Sequence, residues 1–173
     1  MKKIILPLLI FAMMFTVSCN KKYIKNTEIE ETPDSKKILY IFAHYVKGFK
    51  DKDPSIFKEY ISKNYYDNNG TDDAKDDVDY DKLMEILSSD QFNALNKLEI
   101  VYILKDLKVD VVTKSAKLLF FYEVRFKRKS KLEPTEDSSF VKSDGTTNHK
   151  LNDNNQMKFK KEEDGEWRII SGL

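Results

Sequence analysis

The residues in this 173-residue chain whose types could do chemistry are few and scattered. Cys19 is the only cysteine, so no intramolecular disulfide can form. His44 and His149 are the only histidines, and two so far apart with no spare thiol make no zinc ligand set. On a helical wheel His44 falls off the apolar stripe of its neighbours, onto an exposed flank, while His149 lies in a polar stretch. Glu123 and Arg125 share one face of a strong strand pattern and read as a surface ion-pair ladder with Lys127, an arrangement worth little in water. Asp67, Asp72, Asp73, Asp76, Asp77, Asp79 and Asp81 crowd one segment, as in a calcium loop. The spacing fails, because Gly70 at the sixth position puts Tyr65 at the first ligand position and Asp76 at the twelfth. There is no Gly-rich phosphate loop and no Gly-x-Ser-x-Gly elbow. No catalytic set, metal or cofactor is therefore expected.

The clearest chemical signal is Cys19 in its setting. Lys2 and Lys3 form a short basic region, residues 4–17 are apolar without one charge, and Thr16-Val17-Ser18 precede the thiol. These residues resemble the lipobox of bacterial lipoprotein signal peptides, with two departures: Thr16 where leucine is usual, and Pro7 inside the apolar run. The resemblance implies that residues 1–18 are removed and that Cys19 is lipidated and becomes the anchored N-terminus. The apolar run is shorter than the roughly 20 residues a membrane-spanning helix needs. The expectation is thus a protein exported and lipid-anchored to the bacterial cell envelope.

Composition narrows the classes further. The chain has 30 basic and 29 acidic residues, and without Lys2 and Lys3 the balance is 28 against 29. Near-neutrality argues against nucleic-acid binding, which needs a concentrated basic surface. Residues 19–173 amount to about one ordinary domain. Eleven Phe and nine Tyr supply a core, and only five Gly and four Pro argue against a disordered chain.

Those residues are held by a recognisable order of elements. Residues 19–34 are polar and read as a flexible tether, leaving 35–173 as one domain. Ile38, Ile41, Phe42, Tyr45 and Phe49 recur at helical spacing after an Asp34 or Ser35 cap. Asp53-Pro54 starts a second helix, with Ile56, Phe57, Tyr60 and Ile61 inward. A third helix spans about residues 80–87, followed by a turn around Phe92. From Leu98 the period becomes two: residues 98–104, 107–113 and 117–129 read as strands, with Leu118, Phe120, Tyr122, Val124 and Phe126 on one face. Residues 130–154 read as a long excursion, and residues 156–163 and 166–171 as a hairpin closed by a type I′ turn at Asp164-Gly165.

Helices followed by a meander predict an α+β fold, with N-terminal helices packed on a curved antiparallel sheet. The helix of residues 38–49, the Asp53-Pro54-Ser55-Ile56-Phe57 start and the ending Phe159 through Ile170, with its Asp164-Gly165-Glu166-Trp167-Arg168 turn, resemble the nuclear transport factor 2-like superfamily. A cystatin-like sheet around one helix and a plain helix-capped sheet are the competing layouts. The resemblance implies a cone that can hold a small molecule between helices and sheet. Tyr45, Tyr122 and Phe126 then lie where those faces meet, and the tyrosines are the polar handles of any pocket there. Three functions stay open: binding of a small apolar ligand or an envelope protein partner, isomerase- or cyclase-type catalysis by an unrecognised buried carboxylate, and structural or surface interaction.

Overall fold

The structure, a computed structural model, describes residues 21–129 and 146–172. Cys19 and the expected signal segment lie outside the described residues. From Lys21 the expected tether is folded back on itself. Tyr23 bridges Glu30, and Ile29 is 3% exposed, so this segment adds an apolar side chain to the core. Among the described residues no helix is long and apolar enough to cross a membrane.

Helix α1 (Pro33–Asp51) begins earlier than its apolar stripe foretells. Thr32, not Asp34 or Ser35, is the N-cap: Thr32 and Ser35 exchange side-chain-to-backbone hydrogen bonds in a capping box, and Pro33 takes the first helical position. The helix ends at Lys52, whose left-handed conformation lets its N–H bond back to the Gly48 and Phe49 carbonyls. Helix α2 (Pro54–Tyr60) starts as expected, with the Asp53 carboxylate accepting from the Ser55 N–H at 2.9 Å. Strands β1 (Tyr66–Asp67) and β2 (Val78–Asp79) pair antiparallel beneath the acidic segment and lead into α3 (Tyr80–Ser88) and the single turn α4 (Asp90–Asn93).

Four strands build the main sheet, β3 (Asn96–Asp110), β4 (Ser115–Lys129), β5 (Thr146–Lys161) and β6 (Trp167–Ser171), antiparallel and in chain order. The two runs expected at 98–104 and 107–113 are one strand, β3, interrupted by a bulge between Leu104 and Asp106. Bulges raise local twist and bend the sheet around α1. The expected excursion is cut short, because residues 146–154 belong to β5 and pair with β4 along its whole far half. The closing hairpin is also corrected: of the Asp164-Gly165 pair only Gly165 has positive φ. Gly165 N–H bonds to Glu162 O and Glu162 N–H to Glu166 O, a turn with a glycine bulge in place of type I′.

The core lies between α1 and the concave sheet face. Ile38, Ile41 and Phe42 pack with Phe57 and Ile61 against Leu118, Phe120, Met157, Phe159 and Ile169, all nearly inaccessible. Each such side chain contributes about 1.5–3 kcal/mol of burial free energy. Trp167 ties the sheet to the helix start, donating from Nε1 to Asp34 Oδ1 at 2.8 Å, beside Lys161 Nζ at 3.0 Å. Those two donors, Trp167 first, hold the Asp34 carboxyl below its ordinary range.

Candidate functional site: an aromatic cavity

Further along α1 the helix and the sheet part. The second half of α1 offers Phe42, Tyr45, Val46 and Phe49, and facing them are Ile100 and Tyr102 of β3 and Phe120, Tyr122 and Val124 of β4. Asn155 and Gly172 close one side, and a cavity of about 230 Å³ remains between. That volume exceeds the ~150 Å³ apolar hole that admits benzene and falls short of the ~300–1,000 Å³ typical of drug-sized ligands. It suits a compact ring system.

The walls are rigid for a packing reason. The Phe42 ring meets Tyr102 edge-on at 5.0 Å and Phe120 at 4.8 Å, while Tyr45 meets Phe49 at 4.9 Å and Phe57 at 5.8 Å. Edge-to-face aromatic pairs of this kind add about 0.5–1.5 kcal/mol beyond their buried area. Tyr102 and Tyr122 are register partners on adjacent strands, so their rings stand side by side in the wall. Among the described residues the hydroxyls of Tyr45, Tyr102 and Tyr122 make no hydrogen bond within the protein, which leaves three phenol groups for an occupant. Asn155 is already committed: its Oδ1 accepts from Gln156 N–H and its amide donates to Gly172 O at 3.4 Å.

The Gly172 wall is held from outside by Asp67. Its carboxylate accepts from Gly172 N–H, from the Ser171 hydroxyl at 3.3 Å and from Tyr65 Oη at 3.4 Å. Only glycine fits at 172, where φ is +96° and an added Cβ would sit 2.0 Å from Gln156 O.

The electrostatics are those of a neutral cavity. Among the described residues no Asp, Glu, His, Lys or Arg lines it. Burial, with smaller contributions from Tyr65 and Tyr122, pushes the Tyr45 phenol well above its ordinary value of 10.0, so at neutral pH it is a donor and not a base. Tyr60, behind α1, is raised too, chiefly by burial and by Glu59. A group whose folded pKa is raised contributes stability that is present below its unfolded pKa and lost above it. The thermal midpoint should therefore stay level up to pH 10.0 and fall beyond it, and Tyr45→Phe should blunt the fall. Thermal unfolding followed across that range checks it; a midpoint indifferent to alkali would contradict the burial argument.

Of the residues picked out by pattern, Tyr45 and Tyr122 do line the cavity and Phe126 does not. Phe126 lies on the same face of β4 but about 13 Å further along than Tyr122 at strand spacing. There it stacks on His149, its register partner on β5, with ring centroids 4.9 Å apart. His44 stays outside the cavity, half-buried against Tyr40 and Tyr60. Glu123 does pair with Arg125, but its second partner is Lys150 of β5 at 2.9 Å, not Lys127. In the acidic segment, among the described residues, no group of three or more His, Cys, Asp or Glu could hold a metal ion. Tyr102, Ile100, Asn155 and Gly172 escaped the sequence reading. The Leu98–Leu104 alternation carried a signal for the first two, since Ile100 and Tyr102 share parity on β3. Nothing local marked the others.

No protein-family model matches the chain, and no curated protein matches it. Solved structures do. A ketosteroid isomerase-like protein from Erwinia carotovora aligns with a TM-score of 0.57 at 15% identity, over 82% of this chain and 95% of that one. An NTF2-like protein from Cytophaga hutchinsonii gives 0.51 at 14% identity, over 82% and 96%. An uncharacterised protein with a cystatin-like fold from Caulobacter vibrioides gives 0.53 at 16%, over 80% and 85%. At such identities the likeness shows the fold alone: helices packed on an antiparallel sheet in the manner of the nuclear transport factor 2-like cone.

Proposed function

We propose that this protein is an exported, lipid-anchored binding protein of the bacterial envelope whose cone holds a compact, uncharged, largely apolar ligand. The observation that carries the binding reading is the cavity of about 230 Å³, aromatic on its walls and lined, among the described residues, by no charged side chain and by three tyrosines, Tyr45, Tyr102 and Tyr122. Uncharged walls exclude ions, since nothing there repays the desolvation of a charge. Phenol donors favour a ligand with a carbonyl, ether or hydroxyl acceptor on an apolar ring. Isomerase-type catalysis needs a base in an apolar pocket, and the described lining residues supply none; among the described residues the only buried polar or charged side chains are Ser35 and Ser62. This supports binding over turnover. The anchor reading rests on the Thr16-Val17-Ser18-Cys19 pattern and the charge-free run before it.

The test uses 2-naphthol, a small neutral bicyclic fluorophore. Wild-type protein should bind it saturably and gain thermal stability, by about 2.7 kcal/mol when the probe is at 100 times its dissociation constant. Val124→Trp, which fills the space from a half-buried strand position, should abolish binding while leaving the unfolding transition cooperative. Equal binding by wild type and Val124→Trp would place the probe elsewhere and sink the assignment.

A further inference from the structure

The opposite end of the molecule from the cavity carries an unusual turn. Val111 and Val112, at the tip between β3 and β4, are 76% and 92% exposed. Turn tips favour Gly, Asn, Asp and Ser, and these two valines leave most of their apolar surface in solvent. They are nonetheless held outward. Asp110 Oδ1 accepts from the N–H of Val112 at 2.9 Å and of Thr113 at 3.0 Å, and these bonds keep the Asp110 carboxyl below its ordinary range.

Lysines surround the tip. Lys108, Lys117 and Lys158 stand in register across β3, β4 and β5, a row of like charges that costs stability in water. Lys114 and Lys160 flank it, the latter donating to Thr113 O at 2.7 Å. Among the described residues Lys114, Lys117 and Lys158 have no acidic partner. Most acids at this end are paired: Asp34 with Lys161, Glu166 with Lys37, Glu31 with Lys36 and Glu30 with Lys21, while Glu162 and Asp164 share the single charge of Arg168. Lys108 keeps a loose contact with Asp106 at 3.6 Å. Glu163 and Asp110 are the acidic exceptions, and the Asp110 carboxylate is held by the backbone N–H groups of the tip itself.

The chain enters the fold at this same end. Asp34, in the first turn of α1, lines one shallow depression together with Val111 and Lys114. Just upstream, Glu31 N–H bonds to Lys22 O at 2.7 Å, which sets the start of the described chain beside the helix start. Cys19 is two residues before Lys21, at most about 7 Å of chain away.

We propose that the Val111–Val112 tip and its lysine surround form a membrane-docking face that seats the domain on an anionic lipid surface. Exposed apolar side chains ringed by lysine are what an interfacial membrane contact requires: the apolar part enters the headgroup boundary and the cations meet anionic lipid. An acyl chain on Cys19 would hold this end at the bilayer, so the proposal rests in part on the anchor reading. The cavity then lies at the far end of α1, about 22 Å along the helix from Asp34 to Phe49.

The experiment uses the full chain, expressed so that Cys19 is processed, with Val112→Cys labelled by an environment-sensitive nitrobenzoxadiazole fluorophore and reconstituted in phosphatidylethanolamine–phosphatidylglycerol vesicles. Spin-labelled lipid should quench the probe at 112 severalfold more than the same probe at Asn69→Cys, on the acidic segment. A second variant pair, Lys117→Glu with Lys158→Glu, should reduce that quenching while the fold is retained. Equal quenching at 112 and 69 overturns the docking face, as does energy transfer between labelled copies in place of lipid quenching, which would mean the tip meets a second copy. Palmitate incorporation at Cys19 without quenching at 112 removes this proposal and leaves the anchor; quenching at 112 without palmitate does the reverse.

Discussion

Phe42→Ala is expected to destabilise the protein by about 3–5 kcal/mol, the cost of deleting a fully buried aromatic ring and leaving a hole behind it. Phe42 is 1% exposed and its ring meets both Tyr102 and Phe120. Its loss removes burial energy and two edge-to-face contacts at once. The site cannot collapse to recover them, because the cavity it borders is already empty space on one side. Against the roughly 5–15 kcal/mol total stability of a domain this is a large fraction, and it corresponds to a fall of about 10 °C in Tm. Urea denaturation should show a lower midpoint with unchanged m. A loss under about 1 kcal/mol would mean that the helix–sheet seam is not the main core. The same variant joins the vacated ring volume to the cavity, so a ligand larger than 2-naphthol should gain affinity as stability drops.

Gly172→Ala is the second large effect, and its mechanism differs. The obstacle is backbone, not a side chain that can swing away: the new Cβ meets Gln156 O at 2.0 Å and Met157 Cα at 2.7 Å, at a φ that costs an L-residue strain in any case. Strain of this kind costs about 1–3 kcal/mol, and the segment can escape it only by peeling from β5. Peeling gives up the Asp67 and Asn155 hydrogen bonds, each worth about 1 kcal/mol net. The destabilisation is thus about 1–3 kcal/mol, but the cavity loses a wall outright. Stopped-flow release of 2-naphthol should accelerate well beyond what that modest stability change implies. Release at the wild-type rate would show that Gly172 is a bystander.

The helices were readable because their signals are local. Asp53-Pro54 names a helix start through one side chain and one ring, and the Ile38–Ile41–Phe42 spacing names a face whatever it packs against. Even so, the start of α1 was misplaced, because Thr32, Asp34 and Ser35 are all competent caps and only the Ser35 return bond decides among them. Strand β5 was the least legible element. Thr146, Asn148, His149, Asn152 and Asn154 show no apolar alternation, and the segment is a strand because β4 lies alongside it, residue for residue. That is a non-local cause, and no window of sequence contains it. The cavity has the same character. Parity placed Tyr122 and Phe126 on one face correctly, but how far the helix covers that face depends on where α1 and the sheet diverge, and the two residues fall on opposite sides of that limit.

Asp67 closes the account from another direction. One carboxylate reaches both ways: one oxygen accepts from Asn69 N–H at 2.9 Å in the acidic segment, and the other accepts from Gly172 N–H at the cavity wall. Segment and wall are therefore thermodynamically linked, and linkage is reciprocal. Whatever tightens the wall, an occupant seated against Gly172 included, tightens the base of the segment by the same free energy, and whatever strains the segment loosens the wall. The exposed stretch between Asn68 and Asp77 is in this sense a handle on an interior it never touches, and Gly172→Ala, by cutting the link, should also leave that stretch more readily cleaved by protease.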